Sequence, residues 1–119
     1  MAGKFTYADL TYLESMSMGS NEMIVEMIQI FIEQLPEFTE GLSEHLNNKD
    51  YLALGAMAHK AKSSVAVMGM SALATDLKTL ELSAKAGTDI DTYPVLVNRF
   101  IEQVTLTGQQ LMDSSKTLV

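Results

Sequence analysis

The chain has two histidines, His45 and His59, and the surroundings of His59 are suited to chemistry. With about 100° of rotation per residue along a helix, Leu54, Met57, Ala58, Ala61, Val65 and Met68 fall within about 60° of one direction, which marks the buried side. His59 points about 140° away from that direction, towards solvent. Its outward neighbours are Gly55, Lys62, Ser63, Ala66, Gly69 and Met70, most of them small enough to let a second protein come close. Lys62, three residues on, brings an ammonium near whatever the imidazole carries, a useful place for a cation if the cargo is a phosphoryl group. A neutral imidazole, with an unperturbed pKa of about 6.5, is a competent nucleophile near neutral pH without a dedicated base, and a nitrogen-linked phosphoryl group stays reactive enough to be handed on. Such transfer chiefly needs in-line positioning and charge neutralisation.

The other polar residues read as structural. His45 falls seven residues after Phe38, on or beside a buried stripe, and is expected to be a partly buried packing or hydrogen-bonded residue. Glu14, Glu22, Glu26, Glu33, Glu37 and Glu40 read as solvated faces. Met23, Met27 and Met57 read as core, whereas Met16, Met18 and Met70 are less clearly buried. No Glu-x-x-His pair, His-Glu-x-x-His motif or carboxylate cluster is present, so no metal site is expected.

The elements that must position His59 are helices, because apolar residues recur at steps of three and four. A short first helix is expected over about Thr6 to Ser15, with Leu10 and Leu13 inward, followed by a turn at Ser17-Met18-Gly19-Ser20. Ser20 or Asn21 can cap a long second helix whose stripe is Ile24, Met27, Ile28, Phe31, Leu35, Phe38, Leu42 and Leu46, ending at Asn47-Asn48. Pro36 lies inside it and predicts a kink near Ile32 to Pro36 without a break. The third helix, about Asp50 to Met68, carries His59. A fourth starts with Ser71 as N-cap, buries Leu73, Leu77, Leu80 and Ala84, and ends at Lys85 and a left-handed Gly87. Thr88 to Thr92 is loop. Tyr93-Pro94 opens the last helix, with Val97, Phe100, Val104, Thr107, Leu111 and Leu118 inward. Short connections favour antiparallel neighbours, so the expected fold is all-α, an antiparallel up-down four-helix bundle with the short N-terminal helix as a lid.

Bulk properties narrow the class. A chain of 119 residues, 47% apolar along its whole length, suits a single folded domain over residues 1–119. The absence of cysteine removes disulfide frameworks and thiolate metal sites. Met1 to Thr6 lacks the apolar run of a signal peptide, and no stretch approaches the roughly 18 apolar residues of a membrane span, so a cytoplasmic address is expected. A net charge of −7 argues against nucleic-acid partners.

The segment Ala58-His59-Lys60-Ala61-Lys62-Ser63-Ser64-Val65-Ala66-Val67-Met68-Gly69 resembles the signature of histidine-containing phosphotransfer (HPt) domains, His-x-x-Lys-Gly with a second glycine ten residues after the histidine. Asp50, the Leu80-Glu81 pair, Lys85 and Gly87 extend the resemblance to nearly the whole chain. It implies that His59 is a phosphoacceptor, that Lys62 stabilises the phosphoryl group and that Gly69 ends the helix or permits close packing. Lys85 faces the site from the adjacent helix in some family members, and reads equally as a C-terminal helix charge paired with Glu81. Gly55, Ser63, Ala66, Gly69, Met70 and Lys85 are the expected docking residues. The implied partners are receiver domains of a hybrid histidine kinase and of a response regulator, with Mg²⁺ on the receiver and no cofactor on this chain. Ser63 departs from the pattern, standing where the family usually has glycine; its hydroxyl could bond the imidazole or the phosphoryl group and alter the transfer rate.

Three functions compete at this level. The leading one is a monomeric phosphocarrier, with no nucleotide-binding loop and so no kinase activity of its own. The second is a helical docking module that binds receivers without transfer. The third, an enzyme with His59 as general base, requires an orienting carboxylate and a concave pocket, and neither is visible in the sequence.

Overall fold

The computed structural model describes residues 5–116, which form helices α1 (Thr11–Met16), α2 (Asn21–Asn47), α3 (Tyr51–Val67), α4 (Ser71–Ala86) and α5 (Tyr93–Ser115), with one 3₁₀ turn at Ile90–Thr92. The described residues contain no strand. Leu118 lies outside them. Helix α3 packs on α2 and α4, and α5 closes the ring by packing on both α2 and α4. The molecule is elongated, 44 × 20 × 20 Å. No helix among the described residues is long and apolar enough to cross a membrane.

The stripes meet in one core. Ile24, Ile28, Phe31, Phe38 and Leu42 from α2 pack with Leu54, Ala58, Ala61 and Val65 from α3, Leu73, Leu77, Leu80 and Ala84 from α4, and Tyr93, Val97, Phe100, Val104 and Leu111 from α5. Helix α2 continues through Pro36, and the burial of Phe31 and Phe38 on either side shows that the stripe keeps its phase across the proline. Ser20 caps α2 by accepting from the Met23 amide, and Asp50 caps α3 by accepting from the Ala53 amide. The buried Tyr93 hydroxyl reaches the carbonyls of Ser83 and Thr88 at 2.8 and 2.5 Å, tying the end of α4 to the start of α5. Its ring stands edge-on to Tyr51 of α3 at 5.2 Å. Burial raises the Tyr93 pKa, with the Asp89 charge adding to the effect.

Several expectations need correction. The first helix begins at Thr11 and not near Thr6, because Asp9 is used otherwise: its carboxylate accepts from the Thr11 amide and hydroxyl, while its own amide donates to the Met68 carbonyl at 3.0 Å. Leu10 and Leu13 are nonetheless buried. Met70 is buried, with 1% exposure, and has no place on an outward face. Gly69 adopts φ +70°, the Gly69 amide bonds the Ala66 carbonyl and the Met70 amide bonds the Val65 carbonyl, which is a Schellman turn. That turn ends the helical rotation on which the outward placement relied and swings Met70 into the core beside Val65. The whole connection is Met68, Gly69 and Met70, so Ser71 is the first residue of α4 and makes no capping bond. Met23, expected in the core, is 46% exposed at the start of α2, whereas Met27 and Met57 are half-buried against the core.

Candidate functional site

Helix α3 is covered on two sides, by α2 and by α4, and His59 stands on the seam towards α4 with 64% of its side chain exposed. Its Nδ1 lies 2.9 Å from Oε2 of Glu81, a residue of α4 whose side chain is only 8% exposed. The same carboxylate accepts from Lys62 Nζ at 3.0 Å on Oε1 and from Lys85 Nζ at 2.9 Å on Oε2. One buried carboxylate therefore gathers an imidazole and two ammonium groups from both helices.

The ammonium groups of Lys85 and then Lys62 hold the Glu81 carboxyl down at a pKa of about 2, against a desolvation that works the other way; His59 adds a smaller lowering. Glu81 is thus ionised at neutral pH and can only accept. Its contact with His59 fixes the tautomer: Nδ1 carries the hydrogen and donates, which leaves the Nε2 lone pair unprotonated in the neutral ring. An exposed imidazole with its nucleophilic nitrogen free and two lysines beside it is equipped to take and return an electrophilic, anionic group.

Close approach of α3 and α4 makes this geometry possible. A Cβ on Gly55 would lie 3.2 Å from the Glu81 carbonyl oxygen and 3.4 Å from both Ala84 Cβ and Lys85 Cγ. Gly55 is accordingly buried under α4, a correction to its expected place on the docking face. The helical wheel assumed one buried direction, whereas α3 has two covered sides. A Cβ on Gly69 would fall 1.9 Å from the Asp9 carbonyl oxygen, so Gly69 both ends α3 and admits the N-terminal segment against it. Ser63 and Ala66 are exposed along the outward side of α3, and Lys85 is exposed over half its side chain. The Ser63 hydroxyl has no hydrogen-bond partner among the described residues, whereas Ser64 donates to Gln34 Oε1 of α2 at 3.0 Å. Lys60 pairs with Glu37 of α2. His45 is half-buried in the last turn of α2.

Glu81 is the residue that sequence reasoning missed as part of the site. Its spacing to Lys85 was legible, and that pair exists, but its link to His59 runs between helices and has no signature in spacing. An orienting carboxylate is therefore present, contrary to the reading that saw none. The signal that could have revealed it is its position: with Leu77, Leu80 and Ala84 inward, Glu81 falls on the buried side of α4, where a charge needs partners.

Comparison with known proteins places the chain in a family. A search of curated proteins finds no match. The crystal structure of histidine-containing phosphotransfer protein B (HptB) from Pseudomonas aeruginosa PAO1 superposes with a TM-score of 0.85 at 22% identity, covering 96% of this chain and 98% of that one, which shows a shared fold. The Hpt domain family model matches residues 26–111, a span that holds His59, Lys62, Glu81 and Lys85. The chain belongs to the Hpt domain family, and that membership supports a histidine phosphotransfer role in phosphorelay.

Proposed function

We propose that this chain is a phosphorelay intermediate in which His59 Nε2 takes a phosphoryl group from a receiver-domain aspartate of a hybrid histidine kinase and yields it to a response-regulator receiver. The observation that carries the reading is the contact of His59 Nδ1 with the ionised Glu81. In the forward step the Nε2 lone pair attacks phosphorus in line, the N–P bond forms, the acyl P–O bond breaks and the aspartate leaves as carboxylate. Nδ1 keeps its hydrogen, so the ring becomes a phosphoimidazolium whose positive charge lies against Glu81. The reverse step expels a neutral imidazole. Lys62 and Lys85, held within reach by Glu81, offer positive charge to the phosphoryl oxygens.

The chain acts as a carrier with no kinase activity, and the receiver supplies Mg²⁺ and the acidic site. Exposure of the ring suits a phosphoryl donor that is itself a folded domain better than it suits general-base work on a small enclosed substrate. The four long helices are read as an antiparallel up-down bundle within one monomeric domain, a reading supported by the short connections and by the ring of helix contacts.

The test is transfer of labelled phosphoryl from a phosphorylated receiver. Label should appear on the wild-type chain, survive base and be lost in acid, and His59→Gln should take up none. Label on His59→Gln equal to wild type would overturn the assignment.

A further inference from the structure

Beyond His59 and its lysines, the structure assigns a role to Ser63: we propose that its hydroxyl donates a hydrogen bond to the phosphoryl group on His59 and prolongs the life of the phosphorylated state. The proposal rests on the phosphoacceptor reading of His59. Ser63 stands four residues after His59 on α3, so the two side chains share one face about 5–6 Å apart at Cβ. Side chains in a helix lean towards its N-terminus, which tilts the Ser63 hydroxyl back over the turn that carries His59.

What distinguishes Ser63 is a free hydroxyl one turn from His59. Some helical hydroxyls of the chain are occupied by the backbone one turn back, Thr75 by the Ser71 carbonyl at 3.1 Å, Thr105 by the Ile101 carbonyl at 2.6 Å and Ser115 by the Met112 carbonyl at 2.9 Å, and Ser64 is occupied by Gln34. Ser63 makes no such bond and is exposed. The ammonium groups around His59 are already engaged: Lys62 and Lys85 on Glu81, Lys60 on Glu37. A phosphoryl group that arrives on Nε2 meets lysines that must be shared with, or drawn from, their carboxylates. Ser63 brings a donor that gives up no protein partner, and it is short enough to rotate towards a phosphoryl oxygen without blocking a docked domain.

The experiment measures the half-life of phosphohistidine on the isolated, phosphorylated chain at neutral pH, after removal of the donor receiver, for wild type, Ser63→Ala, Ser63→Gly and Ser63→Thr. Loss of one hydrogen bond should shorten the half-life by about threefold to tenfold in both Ser63→Ala and Ser63→Gly, and Ser63→Thr should retain most of the wild-type value. Thermal melting reports any change of fold, and Ser63→Ala should melt no lower than wild type because the site is exposed and alanine favours helix. A half-life in Ser63→Ala equal to wild type overturns the proposal. So does a change in Ser63→Gly alone, which would assign the residue a steric part in docking. Absence of label on every variant and on wild type would instead remove the phosphoacceptor reading on which the proposal stands.

Discussion

At the scale of the residue, Glu81 organises the groups around His59. It orients His59, selects the tautomer that frees Nε2 and holds two lysines at the mouth of the seam. Replacement by alanine removes all three functions and leaves Lys62 and Lys85 to repel one another. Glu81→Ala should therefore slow phosphoryl uptake from a receiver by at least about tenfold, the low end of what loss of a hydrogen bond to a charged group costs. Glu81→Gln keeps a hydrogen-bond acceptor for Nδ1 but loses the charge that balances the phosphoimidazolium, and should fall between the two in a rapid-quench transfer assay. Acid stability follows from the same carboxylate. Its folded pKa is about 2, below the ordinary 4.5, so on acidification the unfolded chain binds the proton first. The stability Glu81 contributes is complete above about pH 4.5 and drains away as pH falls towards 2. Urea unfolding across that window should show a steeper decline for wild type than for Glu81→Gln; parallel curves would mean that the lysine contacts carry no stability. His59 and Lys62 were legible in the sequence because they lie on one helix, where spacing is geometry. Glu81 reaches them from another helix, and a register between helices is set by packing.

At the scale of the element, four helices end in the same way. Helices α1, α2, α3 and α4 each close on a residue of positive φ, at Met18, Lys49, Gly69 and Gly87, with the paired amide-to-carbonyl bonds of a Schellman turn. Two of those residues are glycines and were readable as stops; Met18 and Lys49 were not, since a side chain in the left-handed region is decided by the rest of the fold. The left-handed conformation costs a side-chain-bearing residue roughly 1–2 kcal/mol, part of which glycine's larger unfolded-state entropy offsets. Lys49→Gly should raise unfolding free energy by up to about 1 kcal/mol in a urea titration. Gly69→Ala should do the opposite and more strongly, because the new Cβ would also overlap the Asp9 carbonyl. Its melting point should fall, and the contact between the N-terminal segment and α3 should be lost first. The same turn explains why Met70 was misplaced by a wheel drawn past the end of its helix, and Gly55 by a wheel with a single buried side.

At the scale of the whole molecule, the core was the part most open to reading. Nearly every residue assigned inward from periodicity is buried or half-buried, because a stripe along a helix depends only on composition and the helical repeat. The order in which helices pack was less open, since it depends on how stripes of differing width meet. The core draws on all four long helices, and Tyr51 of α3 touches Tyr93 of α5, so neither half of the chain has a core of its own. Unfolding should be a single transition that coincides by far-UV and near-UV circular dichroism. Leu54→Ala, at a position with no exposure, should cost about 2–5 kcal/mol without separating the two signals. Charge is unevenly spread as well: α2 carries six glutamates and no lysine or arginine, whereas α3 carries Lys60 and Lys62 and no acidic residue. Positive charge is thereby concentrated beside His59 in an acidic protein.

The closeness of α3 and α4 at Gly55 bears on how a message is held. Backbone and side chains meet there without a gap, and Glu81 rests on the imidazole before any phosphoryl group arrives. A site assembled in advance has nothing to rearrange on loading. On the proposed function its content would be written in one covalent bond, legible to a partner that reads that bond, with the scaffold the same page whether written on or blank. Amide exchange along α3 and α4 should accordingly superimpose for the phosphorylated and free chains, and a shift spread over both helices would reveal a signal carried by shape instead.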